Sequence, residues 1–123
     1  MREILFRAKR LTDRKWTYGD FTEVVGDCPR ILSNENATMY AVAPETVGQY
    51  TGLKDKNGKK IFEGDAVWFS DEKERGVVCF DEIGACFSVR FDTFDAAFDH
   101  LYSNELEIIG NVFDNPELME GGE

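Results

Sequence analysis

Histidine occurs once in this 123-residue chain, at His100, and proline and cysteine occur three times each. A lone imidazole leaves no His–carboxylate cluster for zinc, and no local motif pairs it with a nucleophile. Walker-type loops and dinucleotide fingerprints are missing too. The cysteines Cys28, Cys79 and Cys86 are odd in number and lack metal-site spacing. Cys79 and Cys86 can face one another across a hairpin, but buried free thiols in a reducing compartment are the expectation. Basic charge is scarce: 14 Lys and Arg stand against 24 Asp and Glu, for a net charge of −10. That balance disfavours a generic phosphate-backbone binder, whose affinity comes from cations displacing counterions. No run approaches the ~20 apolar residues that span a bilayer. Arg2, Glu3, Arg7, Lys9 and Arg10 break up any signal-peptide-like stretch. A soluble cytoplasmic protein without metal or cofactor is therefore expected.

What is abundant is aromatic and turn-forming. Ten Phe, four Tyr and two Trp suit a β-rich core, and 42% hydrophobic against 31% charged residues is an ordinary globular balance. The length fits one compact domain over 1–123, burying roughly two-thirds of its unfolded surface. Within it we expect an N-terminal hairpin region (1–62), a barrel-like region (63–118) and a frayed acidic tail (119–123). The acid is uneven: Met1 to Arg30 holds seven basic residues against five acidic ones.

The segment from Glu45 to Asp65 is the most structured stretch of sequence, with Gly48, Gly52, Gly58 and Gly64 between short apolar runs. Asn57-Gly58 is a strong hairpin signal, because both residues tolerate positive φ. It predicts a turn through Asp55 to Gly58, with arms Gln49–Leu53 and Lys59–Phe62. Gly64-Asp65 makes a second tight turn. The glycines recur without a following helix start that would cradle phosphate, so turn-making is their expected role.

The rest of the chain reads as short strands: Ile4 to Ala8, Lys15 to Tyr18, Phe21 to Val25, Met39 to Val42, Ala66 to Phe69, Val77 to Phe80, Cys86 to Phe91 and Leu106 to Val112. The polar stretch Ser33 to Asn36 reads as loop. The fold class is thus mainly β (β-rich α+β), a small bent-sheet or SH3-like barrel with at most one or two short helices. Phe91, Phe94, Phe98 and Leu101 fit one face of a helix near 93–101, with Asp92 and Asp95 as caps. The preceding strand can equally run on through this segment.

Three separated segments resemble the YopX family of bacteriophage and prophage proteins: Met1 to Ala8, Glu45 to Asp65, and Glu107 to Leu118. The residues that carry the likeness are Gly48, Tyr50, Gly52, Asp55, Asn57, Gly58, Gly64, Asp65, Gly110, Asn111, Asn115 and Pro116. The resemblance implies a small β-rich phage-encoded protein in the host cytoplasm without an assigned activity. It brings no catalytic residues, so those positions are expected to be structural.

Other constellations offer little chemistry. Asp92, Asp95 and Asp99 with His100 would line one stripe of the expected helix, but a Ca²⁺ loop needs closely alternating ligands and a glycine turn; a solvated acidic face is expected. Trp16, Tyr18, Tyr50 and Phe62 lie near cations and can stack bases, although core packing accounts for them too. The expected function is a non-enzymatic interaction protein, with a protein partner of host or phage and self-association through an edge strand. Two alternatives are a nucleic-acid-binding barrel working through the basic N-terminal quarter, and an acidic mimic of nucleic-acid phosphates that blocks a host protein.

Overall fold

The computed structural model describes residues 3–97 and 105–119. The chain divides into two compact units, Met1–Tyr50 and Thr51–Glu123. The boundary between the units falls inside the strand Gly48–Lys54.

In the first unit, β1 (Phe6–Lys9), β2 (Trp16–Thr22), β3 (Arg30–Ser33) and β4 (Met39–Ala41) form an antiparallel meander. The start of β5 (Gly48–Lys54) pairs with the other side of β1. Alternation decides which side chains are buried, since successive residues of a strand point to opposite faces. Ala8, Ile31 and Val42 are fully buried, with Phe6, Phe21, Tyr40 and Val47 packed against them. Arg10 bridges Val42, Leu11 N–H donates to Ala41 O (3.0 Å) and Ala43 N–H donates to Lys9 O (2.9 Å). The end of β1 thereby returns to the end of β4, and four strands curl around this small core.

Two residues hold the curl. Thr46, in the 3-10 turn Pro44–Thr46, accepts from Lys9 N–H at Oγ1 (2.9 Å) and donates to Ala43 O (2.7 Å) while 2% exposed. At Gly19 the next strand approaches so closely that a Cβ would lie 1.8 Å from Leu32 O. No side chain fits there.

In the second unit, the later part of β5 and β6 (Lys60–Phe62) make the hairpin expected at Asn57-Gly58. Its turn closes with Asp55 N–H to Lys59 O (2.8 Å) and Gly58 N–H to Asp55 O (2.9 Å). A five-stranded antiparallel sheet follows: β7 (Asp65–Phe69), β8 (Glu74–Asp81), β9 (Cys86–Phe91), β10 (Asp95–Ala97) and β11 (Leu106–Asn111), in the order β10-β9-β8-β7-β11. A meander whose fifth strand returns beside its first is the bent-sheet connectivity expected. A register shift between Ile108 and Gly110 adds local bend to β11. The core here is Ile61, Val67, Val78, Val89, Phe91 and Leu106.

Several expectations are corrected. The loop assigned around Ser33 contains the end of β3, a strand with only two apolar residues, Ile31 and Leu32. Lys15–Tyr18 and Phe21–Val25 are largely one strand, because Gly19 continues the ladder instead of breaking it. No helix begins at 93: Asp95–Ala97 is β10, registered against Arg90 to Ser88 of β9. The three-and-four aromatic spacing there reflects Phe94 stacking on Phe91 (4.7 Å between centroids). Phe98, Asp99, His100 and Leu101 lie outside the described residues, as does the tail from 120 to 123.

Candidate functional site

The glycine-rich motif comes first, and its two buried carboxylates, Asp55 and Asp65, accept from main chain. Asp55, 4% exposed, accepts from Asn57 N–H and Lys59 N–H at Oδ1 (2.9 Å each) and from Ile108 N–H at Oδ2 (3.0 Å). Burial works against its charge, yet these three donors, with Lys59 nearby, hold its carboxyl below the ordinary value. Asp65, 2% exposed, accepts from Phe62 N–H (2.8 Å). Tyr50 is buried in the first unit, and Gly48 faces Arg7 across the β1–β5 pair. Gly52, Gly58, Gly64 and Gly110 have positive φ. At Gly64 (φ +89°) a Cβ would also meet the Phe113 ring at 2.8 Å. Near the C-terminus, Asn111 Oδ1 accepts from Phe113 and Asp114 N–H, Asn115 Oδ1 accepts from Asn111 N–H, and Pro116 opens a 3-10 turn. The chemistry this arrangement performs is the anchoring of turns.

The acidic and thiol groups are dispersed. Asp95 sits opposite Arg90, with 3.8 Å between their charged atoms, on an exposed edge. Among the described residues no three His, Cys, Asp or Glu side chains gather as metal ligands. Cys79 faces Ser88, with Sγ and Oγ 3.3 Å apart, and Cys86 faces Asp81. All three cysteines are free and half-buried. Cys28 lines a concavity of about 730 Å³ that opens beside Phe21 and Val47. The rim carboxylate there, Asp27, is engaged by Cys28 N–H (2.7 Å) and the Arg30 guanidinium (2.9 Å), which together hold it below its usual value.

One surface differs from these. Cross-strand partners share a face of an antiparallel sheet, so the first unit's register sorts its side chains. Phe6, Ala8, Phe21, Ile31 and Tyr40 face the core. The opposite face carries Arg7 beside Tyr18, Lys9 beside Trp16, Asp20 beside Leu32, and Leu32 beside Met39. There Tyr18 is 37%, Leu32 37% and Met39 50% exposed. The Arg7 guanidinium lies 4.6 Å from the Trp16 ring centroid and the Lys9 ammonium 5.6 Å, so cations are stacked at this ring. The face carries exposed Tyr18, Leu32 and Met39 with the exposed carboxylate of Asp20 among them, while Arg7, only 6% exposed, is covered.

Of the four aromatics that the sequence placed near cations, the structure brings Trp16 and Tyr18 to this face. Tyr50 and Phe62 are core residues, 6% and 4% exposed, and offer no stacking surface. Leu32 was not singled out from the sequence because β3 was not recognised, and Met39 was read only as the start of a strand. The sequence of Arg30 to Ser33, with Ile31 and Leu32 adjacent, carries no alternation that would have marked it.

Charge is segregated between the units. Residues 1–50 hold seven Lys and Arg and seven Asp and Glu, which leaves seven and 17 for residues 51–123. The net charge of −10 therefore resides in the second unit. Among the described residues no helix is long and apolar enough to cross a membrane.

The chain is similar to a crystal structure of protein EF1440 from Enterococcus faecalis, at 21% identity and a TM-score of 0.63. That similarity covers 98% of this chain and 100% of the other. It shows a shared fold across the whole length. No curated protein matches the chain. The sequence profile of the YopX protein family matches residues 5–120, spanning both units and every position of the glycine-rich and C-terminal motifs. The chain belongs to the YopX protein family.

Proposed function

We propose that this chain is a phage- or prophage-type accessory protein of the host cytoplasm that acts by binding another protein through the outer face of its first unit. The observation that carries this reading is the exposure of Tyr18, Leu32 and Met39 together on one sheet face, beside Arg7, Lys9 and Trp16. Aromatic, Met and Arg side chains are those enriched where proteins meet. Scattered single apolar residues need no explanation, but three exposed on one sheet face favour a binding role. A photo-crosslinking side chain at position 32 tests the reading in extract from cells carrying the phage. A defined protein adduct, competed away by excess unlabelled chain, is expected. Repeated absence of any adduct would count decisively against it.

A second reading, the acidic mimic, is favoured by the confinement of the net negative charge to residues 51–123. Such a surface competes with DNA for a basic host protein, and the competition weakens as salt rises. Direct nucleic-acid binding has less support. Arg7 and Lys9 already stack at Trp16, where a base would have to lie.

A further inference from the structure

We propose that Asn57 is a site of spontaneous modification, deamidating to aspartate and isoaspartate at a rate that Asp55 holds down while the hairpin turn is closed. Of the six asparagines only Asn57 precedes a glycine. The reaction needs the main-chain nitrogen of the following residue to reach the side-chain carbonyl carbon, and a Cβ on that residue stands in the way. Glu35, Ala37, Glu105 and Val112 each carry one, and Pro116 has no N–H to give up. Gly58 presents neither obstacle. Asn57 is also exposed to the water that the reaction consumes. Among the described residues no hydrogen bond occupies its side-chain amide, whereas Asn36 engages Thr38 N–H and Tyr40, and Asn111 engages Phe113 N–H and Asp114.

The Gly58 nitrogen forms a bond to Asn57 Cγ, the Cγ–Nδ2 bond breaks, and Nδ2 leaves as ammonia with the proton from Gly58 N–H. Water then opens the resulting succinimide at one carbonyl or the other. Aspartate leaves the main chain unchanged, and isoaspartate adds a carbon to it. In the closed turn the attacking nitrogen is committed. Gly58 N–H donates to Asp55 O (2.9 Å), and Asp55 Oδ1 accepts from Asn57 N–H and Lys59 N–H on either side (2.9 Å each). These bonds must open before the nitrogen can turn onto Cγ, and those to the charged acceptor resist opening most. Packing does not demand glycine at 58, since a Cβ there would meet nothing within 4 Å; φ +81° does. The residue that shapes the turn therefore also opens it to this chemistry. An isoaspartyl link would pull Lys59 N–H away from Asp55 and loosen the carboxylate's hold on Ile108 N–H (3.0 Å), which aspartate would leave in place.

Ageing the full chain at physiological pH and temperature, followed by peptide mapping and by enzymatic methylation specific for isoaspartate, reads this directly. The expected result is product at Asn57 ahead of every other asparagine, and none at that position in Asn57→Gln, whose longer side chain closes a less favourable ring. Asp55→Ala should form the product at least about tenfold faster than the parent, and the parent unfolded in urea faster still. Asp55→Asn keeps an uncharged acceptor and should fall between the parent and Asp55→Ala; it replaces Asp55→Ala in the comparison where circular dichroism shows that variant to be unfolded. The separated products give a second readout, in which the isoaspartyl form melts below the parent and the aspartyl form melts with it. Deamidation led by another asparagine would overturn the proposal. So would an Asn57 rate that is the same in the parent, the folded Asp55 variant and urea, or an isoaspartyl form as stable as the parent.

Discussion

Replacing Asp55 with alanine removes the shared acceptor of three main-chain N–H groups: Asn57 and Lys59 within the hairpin turn, and Ile108 in β11. A hydrogen bond to a charged group contributes about 1.5–3 kcal/mol, and a buried donor left without an acceptor costs about 1–3 kcal/mol. Asn57 and Lys59 are exposed and water can reach their amides, whereas Ile108 is half-buried and its amide has less access. Counting each lost acceptor at the cost of an unsatisfied donor, the first two at the low end and Ile108 near the middle, gives about 4 kcal/mol. For a chain of this length that corresponds to a fall of about 16 °C in melting temperature. Urea unfolding followed by circular dichroism measures it. A loss below about 1 kcal/mol would refute the claim that this carboxylate anchors the turn to β11.

The same site fixes a pH dependence. The carboxyl of Asp55 is held below its ordinary value in the folded chain despite burial. A depressed folded pKa means that the unfolded state binds the proton more readily, so the contribution is complete above the unfolded value and lost as pH falls through the folded one. Asp55→Asn is therefore expected to be less stable than the parent at pH 7, with the difference shrinking below about pH 4. A gap that stays constant down to pH 2.5, with both proteins folded, would place the interaction elsewhere.

Two further substitutions probe the frame that presents the docking face, and a third probes a turn of the second unit. Gly19→Ala puts a Cβ against Leu32 O, and main chain must move; a loss of about 3 kcal/mol or more in thermal unfolding is expected, and near-neutrality would show that β2 and β3 are not so closely paired. Thr46→Val keeps the volume but removes a buried acceptor and donor, with an expected cost of about 1–3 kcal/mol and faster hydrogen exchange at Lys9 N–H. Gly64→Ala is strained both by φ +89° and by the Phe113 ring; adding Phe113→Ala should recover the steric part only, so that a double-mutant cycle returns a coupling of about 1 kcal/mol.

Turns were more legible in the sequence than faces. The turns at Asn57-Gly58 and Gly64-Asp65 turned up where expected, with the positive φ carried by Gly58 and Gly64, a local property. Cys86–Phe91 alternates strongly enough that its bounds were read correctly. Arg30–Ser33 has no such pattern, and its strand character comes from pairing on both sides, with β2 and with β4. The helix reading at 93 failed for a related reason. Phe94 has a partner in Phe91 on the adjoining strand, and a contact supplied by the tertiary structure outweighs a short stretch of helical spacing. The docking face depended on β3, which was read as loop, and so could not be assembled from sequence. Asp55 was singled out as a motif position, but its bond to Ile108 joins residues 53 apart. No local signal announces that connection.

The return of β1 to β4 has a consequence for how this protein can be recognised. Strands at the margin of a sheet invite another chain to continue the ladder, a route that reads main chain and tolerates many sequences. Here Ala41 O already accepts from Leu11 N–H, and Val42 is bridged by Arg10, so the margin at β4 is occupied by the chain's own backbone. What the first unit offers a visitor is side chains. Recognition of that kind can be redirected by a few substitutions at positions such as 18, 32 and 39 while the ladder beneath them stays unchanged, which lets one small scaffold keep its shape as its partners diverge.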